Sequence, residues 1–214
     1  MMTTDDLIAS LASDTRPVRS GTAAWRIAGA LLAGGFVSLI ALDLVMGTPL
    51  RAVATTGIMV FAVKLAYAIA MTAIAASLLL PAGRPGQRIG LRWAWLLAPF
   101  MVVLAAASME MAHLAPAHRV ALILGTSWRT CLVTTVALSA PVFAALLWAF
   151  GRLAPTRLAL TGFLAGVASG AMGCVIYALY CPEAAAPFLL VWYTGGMMVS
   201  GLSGAILGPR LLRW

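Results

Sequence analysis

The sequence predicts an all-α protein, a bundle of six transmembrane helices preceded by one short helix outside the membrane. Three observations predict it. The 214 residues are 63% hydrophobic and only 9% charged, where a soluble domain is about half apolar and about a quarter charged. Mean hydropathy is +1.01. The apolar residues fall into six long runs separated by turn residues, each of about 18 residues or more, the length that crosses a bilayer core. Only helices or closed barrels satisfy the backbone in lipid, and these runs are too long and too uniformly apolar for barrel strands.

Residues 1–24 stand ahead of the membrane domain, which takes up 25–214. In the leader, Thr3-x-x-Asp6 has the form of a capping box. Asp5 and Asp6 fall in the first turn, where the helix dipole favours negative charge. Leu7, Ile8 and Leu11 share one side at helical spacing, and Ala12 extends it. Arg16 precedes Pro17 and is steered out of the helical region, so the helix is expected to end near Asp14. About three turns are marginal in water on their own. Lipid-surface helices usually carry Lys or Arg on the polar face, and this polar face is acidic. Two readings stay open on physical grounds: a helix that fits a groove on a partner, or a frayed leader with no role.

The spans follow as Trp25–Met46, Val53–Leu80, Trp93–Ala112, Leu132–Phe150, Leu158–Tyr180 and Pro187–Leu207. Gly47-Thr48-Pro49, Pro81 to Pro85, Pro116, Pro155 and Cys181-Pro182 punctuate them. Short connections predict antiparallel neighbours. The first span is expected to be a retained helix rather than a cleaved signal peptide, because Asp5, Asp6 and Asp14 precede it and no small-residue cleavage site follows. Small residues recur every four positions in the last two spans, as Gly162, Gly166, Gly170 and as Gly196, Ser200, Gly204, Gly208. Such rows let helices approach closely in lipid, and packing is the reading preferred over a dimer interface.

Net charge is +8, but the arginines lie between apolar blocks, which fits membrane orientation and lipid headgroups rather than nucleic acid. Ten (Arg16, Arg19, Arg26, Arg84, Arg88, Arg92, Arg152, Arg157, Arg210, Arg213) fall on the side of the termini. Three (Arg51, Arg119, Arg129) fall on the other, and Lys64, inside a span, completes the 14 basic residues. The positive-inside rule places both termini in the cytoplasm. Ionisable groups within lipid are functional by default. Asp43 and Glu110 lie near span ends and can reach water, whereas Lys64 lies deeper and needs a partner, for which Asp43 is the candidate.

Three cysteines show no CxxC spacing and are too few for a disulfide scaffold. Cys131 stands at the start of the fourth span and Cys181 at the end of the fifth, on one membrane face, the periplasmic one in this orientation. Cys174 lies about two turns deeper, as an apolar packing residue would. Asp43, Met46, Met109, Glu110, Met111, His113 and His118 gather at the same face as potential ligands. Core filling accounts for each Met, and a solvated loop for each His; a soft-metal site would draw on Cys131, Cys181 and His113.

The leader "TDDLIASLASDTRPVR", the segment "LSAPVFAALLWAFGRLAPTR" and the run from "GFLAGVASGAMGCVIYALYCPE" to "GPRLLRW" resemble the NrsF-type membrane anti-sigma factors. The resemblance covers nearly the whole chain and is loosest from about Thr48 to Pro116. It implies a six-helix protein of the bacterial inner membrane that holds an extracytoplasmic-function sigma factor inactive. By resemblance, the sigma factor is contacted by Thr4, Asp5, Asp6, Leu7, Ile8, Leu11, Asp14, Pro17, Val18 and Arg19. Cys131 and Cys181 correspond to two signalling cysteines, linked to oxidants or heavy metals; Cys174 is outside that pattern. No catalytic residue, cofactor or direct nucleic-acid contact is implied. The alternative is a small membrane transporter or channel component, against which stand the sparse intramembrane polar groups and the lack of an inverted repeat.

Overall fold

The computed structural model describes residues 3–13, 21–47, 51–83, 87, 90–151, 155 and 157–213; the side chains at 11, 12, 51, 53, 116 and 117 also lie outside the description. Among the described residues every regular element is helical, and six helices are long and apolar enough to cross a membrane.

Helix α1 (Thr4–Ser13) is the leader. The capping box forms: Thr3 N–H and Oγ1 donate to Asp6 Oδ2 at 3.1 and 2.6 Å, and Asp6 N–H donates to Thr3 Oγ1 at 3.2 Å. Two orphan donors of the first turn are thereby satisfied. The first span is α2 (Thr22–Met46). Short α3 (Arg51–Thr56) stops at Gly57, whose φ of +79° favours glycine, and α4 (Ile58–Ala82) makes the second span. The expected start at Val53 therefore moves to Ile58. A 3₁₀ turn (Gly90–Leu96) leads into α5 (Leu97–Ala112). Next come α6 (Pro116–Leu124) and α7 (Trp128–Phe150), separated at Gly125 (φ +56°). Helix α8 (Leu158–Tyr177) ends three residues before the expected Tyr180. The last span joins α9 (Ala186–Phe188), a π turn (Leu189–Tyr193) and α10 (Thr194–Leu211).

Helix α8 is the central post, buried along most of its length. Its small residues are the reason. A Cβ on Gly166 would meet the Ser200 carbonyl oxygen, and one on Gly162 the Gly204 carbonyl oxygen, so the two predicted rows face each other and bring α8 and α10 into backbone contact. On the other side Ser38 Oγ donates to Leu138 O at 2.8 Å, tying α2 to α7. Tryptophans mark the interfaces, as amphipathic rings do in membranes. Trp25, Trp93, Trp95 and Trp148 are exposed at the leader end. At the opposite end Trp128 and Trp192 pack with ring centroids 5.1 Å apart.

Candidate functional site

The two candidate regions sit at opposite ends of the bundle. Along α1, Thr4, Asp5, Asp6, Leu7 and Ile8 are all exposed, Leu7 at 43% and Ile8 at 59%. Thr3 lowers the Asp6 carboxyl below its usual range through its hydroxyl and backbone hydrogen bonds, so the box is held by a charged acceptor. The Leu11 side chain and residues Asp14, Pro17, Val18 and Arg19 lie outside the described residues. What is described is a capped helix presenting an apolar pair.

At the far end, Cys131 lies one turn into α7 and Cys181 in the loop after α8; both are fully buried with free thiols. The structure brings them together, and the hydrogen bond between the thiols is the strongest single influence on the ionisation of Cys181. That bond, with smaller help from the Glu183 backbone N–H, the Lys64 ammonium and the Tyr193 hydroxyl, outweighs burial and pulls the Cys181 thiol below its ordinary value.

The loop carrying Cys181 is fastened twice. Lys64, 0% exposed on α4, donates from Nζ to Cys181 O at 2.8 Å and Glu183 O at 2.7 Å. Asp43 is thus not its partner; Asp43 Oδ1 accepts from the Tyr180 hydroxyl at 3.2 Å. The correction has a simple cause: an irregular loop at membrane depth exposes carbonyls, and backbone acceptors carry no sequence signature. The second fastening is the Glu183 carboxylate. Its Oε1 accepts from Thr126 N (2.7 Å) and Oγ1 (2.6 Å) and from Ser127 N (3.1 Å) and Oγ (3.2 Å). Ser127 is the N-cap position of α7, so a carboxylate from a distant loop caps the helix that bears Cys131, where the dipole favours it. A Cβ on Gly125 would collide with that carboxylate at 2.8 Å. Burial works against the charge, but the Thr126 and Ser127 hydrogen bonds prevail and hold the Glu183 carboxyl below its usual value.

Around the thiols the site is closed. Cys174 Sγ donates to Tyr193 O at 3.7 Å, which places this third cysteine against the same cluster. Glu110 Oε2 accepts from Ala186 N–H at 2.9 Å, and Trp192 Nε1 donates to Ile123 O at 2.7 Å, fixing the π turn beneath α6. His113 is exposed at the C-terminal end of α5, and His118 is exposed on α6. Among the described residues no three of His, Cys, Asp or Glu come together to hold a metal ion. Glu183 and Tyr193 were not singled out from sequence. Glu183 had one signal, being among only six acidic residues and two positions after Cys181; Tyr193 had none.

A family model described as "Negative regulator of sigma F", NrsF, matches residues 11–214. The chain belongs to the NrsF family. It is 36% identical over 219 residues to the "Probable anti-sigma-F factor NrsF" of Azospira oryzae, with 100% of both chains covered. It is 43% identical over 90 residues to the "Anti-sigma-F factor NrsF" of Caulobacter vibrioides, covering 42% of each. No solved structure matches. The family is described as a negative regulator of a sigma factor, and both relatives are named as anti-sigma-F factors. Most of α1 precedes the stretch that the NrsF model matches, while the Cys131 and Cys181 site lies inside it.

Proposed function

We propose that this protein spans the bacterial inner membrane with both termini in the cytoplasm, and that its leader sequesters an extracytoplasmic-function sigma factor. The observation that carries the reading is the exposed Leu7–Ile8 pair on a capped helix, at the end of the bundle remote from the thiols. An apolar stripe on a helix of marginal length supports a helix-in-groove partner rather than a free-standing element. The acidic first turn complements a basic groove. Thr4, Asp5, Asp6, Leu7, Ile8, Leu11, Asp14, Pro17, Val18 and Arg19 form the contact segment.

The input is chemical change at Cys131 and Cys181, which face the periplasm in this orientation, where disulfides persist. Oxidation is the favoured input, since among the described residues no three of His, Cys, Asp or Glu come together to hold a metal ion. A disulfide draws two sulfurs from contact to about 2.05 Å, and Glu183 ties the loop to α7, so the pull acts on a whole helix. A small rigid-body shift of α7 against α8 then alters the leader's freedom to engage its partner. Releasing the sigma factor by about a hundredfold in affinity requires about 2.7 kcal/mol of coupling between the two ends.

The test is transcription from a promoter dependent on the cognate sigma factor. Deleting residues 1–19 derepresses it without any stimulus, and Cys131→Ser with Cys181→Ser leaves it repressed under oxidant. Intact repression in the deletion, or a normal response in the double variant, contradicts the reading.

A further inference from the structure

Of the six spans the third is the least buried. Helix α5 has only Val103 and Ala107 buried, and the 3₁₀ turn before it has no buried residue. At its far end α5 packs on α9 and the π turn, where Glu110 holds the Ala186 N–H. At the leader end a cleft of about 580 Å³ lies between the 3₁₀ turn and α8. Both walls follow from helical register. A 3₁₀ helix has about three residues per turn, so Gly90, Trp93 and Leu96 stand in one row. At about 3.6 residues per turn Leu96 would point about a third of a turn away from Gly90. On α8, the N-cap residue Arg157 and Leu160 and Leu164 share one side at steps of three and four, with Phe163 beside them. These two rows line the cleft.

An apolar cleft of this size does not stay empty within a bilayer. Lining atoms that face a void forfeit their dispersion contacts, and water there would need several polar partners. Trp93, Leu96, Leu160 and Leu164 offer apolar surface, against which a lipid chain packs. The rim selects the headgroup. Arg157 is the one charged residue lining the cleft, and it is exposed. On the other side of the 3₁₀ turn, Arg92 and Trp95 line a neighbouring hollow of about 400 Å³. No Asp or Glu lines either space. A guanidinium pairs in bidentate fashion with phosphate, basic pockets between spans take anionic headgroups, and tryptophan rings sit at headgroup level. A zwitterionic headgroup brings an ammonium for which this lining has no carboxylate. We propose that the cleft between the 3₁₀ turn and α8 binds one anionic phospholipid of the leader-side leaflet. One acyl chain lies between Trp93 and Leu164, and the phosphate pairs with Arg157. The chain supplies the packing that the third span lacks on its α8 side. In the proposed orientation that leaflet is the cytoplasmic one, but the site depends on neither the sigma factor nor the thiols.

The experiment is native mass spectrometry of the full chain in detergent, offered equimolar phosphatidylglycerol and phosphatidylethanolamine. One phosphatidylglycerol is retained per chain, preferred over phosphatidylethanolamine by about fivefold or more. Arg157→Gln weakens its binding by about tenfold, equivalent to about 1.4 kcal/mol, and Arg157→Lys restores part of it. Arg119→Gln, exposed at the opposite end of the bundle, leaves it unchanged. Leu160→Trp fills the cleft and weakens both lipids; where that variant fails to fold, the arginine variants decide. Hydrogen exchange over residues 90–100 slows when phosphatidylglycerol is added to the wild type but not to Arg157→Gln, which locates the site. Equal retention of the two lipids, or a loss in Arg119→Gln as large as in Arg157→Gln, means surrounding bilayer lipid only and overturns the proposal. Displacement by glycerol phosphate, which has no chains, means a free-anion site and overturns it. Lipid binding that rises when residues 1–19 are deleted means that the leader fills the cleft, and overturns it as well.

Discussion

Replacing Glu183 by alanine separates the thiol loop from α7, and the size of the effect follows from its contacts. Four hydrogen bonds reach one carboxylate oxygen, two of them from the backbone N–H groups of Thr126 and Ser127. Losing a helix cap costs about 1 kcal/mol. Losing a negative charge at a helix N-terminus costs about 0.3–1 kcal/mol more. Thr126 is exposed and Ser127 only half-buried, so water replaces part of what is lost. A net 1–2 kcal/mol corresponds to about a 5- to 30-fold rise in local opening. Hydrogen exchange read by mass spectrometry reports it on two peptides, one over residues 124–131 and one over 177–186. Both should exchange faster together, because one carboxylate joins them. Glu183→Gln, which keeps an acceptor but loses the charge, should fall between. Acceleration confined to the first peptide, with the Cys181 loop unaffected, would refute the idea that Glu183 straps the loop.

The same strap predicts a pH dependence. The Glu183 carboxyl is held below its unfolded value, so its contribution is complete above the ordinary glutamate range of about 4.3. It is lost as pH falls through the lowered native value, and the loop's protection from exchange, taken relative to the intrinsic amide rate at each pH, should fall in acid in the wild type but not in Glu183→Ala. Lys64→Met leaves the Cys181 and Glu183 carbonyls without their donor, at about 1–3 kcal/mol each if they stay buried. A folded bundle with selectively faster proteolysis or exchange over 178–185 is the expected result, and an unchanged loop would contradict the fastening. Gly166→Val drives a side chain into the Ser200 backbone; overpacking of about 1–3 kcal/mol or more should lower the melting temperature in detergent, whereas a shift no larger than that of Val167→Ala would argue against the tight α8–α10 seam.

Much of the architecture could be read from the sequence because lipid imposes simple rules. A run of apolar residues long enough to cross the bilayer becomes a helix whatever its neighbours, so the six spans were legible, with errors at the edges. Those errors have causes: Gly57 and Gly125 adopt positive φ and cut α3 and α6 away from the spans that follow. The leader's start was legible because a capping box is local, three residues apart. The glycine rows were legible because their spacing is the helix repeat. Lys64 was legible as a residue in need of a partner, but the partner was misread. Its oxygens belong to the backbone of a loop more than a hundred residues away. Glu183 and Tyr193 escaped for the same reason, since their roles exist only once α4, α7 and α8 have packed. Local chemistry is written in sequence, while the closure of this site is written in the packing.

The central claim, that the leader helix is the hold on the sigma factor, is tested most directly by co-purifying the cognate sigma factor with the full-length chain, wild type against Leu7→Asp and Ile8→Asp. Both side chains are exposed and neither belongs to the buried core of the bundle, so the bundle should fold as before. Burying a Leu or Ile on a partner contributes about 1.5–3 kcal/mol, and a charge in that groove adds a penalty, so affinity should fall by about a hundredfold or more. Undiminished co-purification of the sigma factor with both variants would contradict the account.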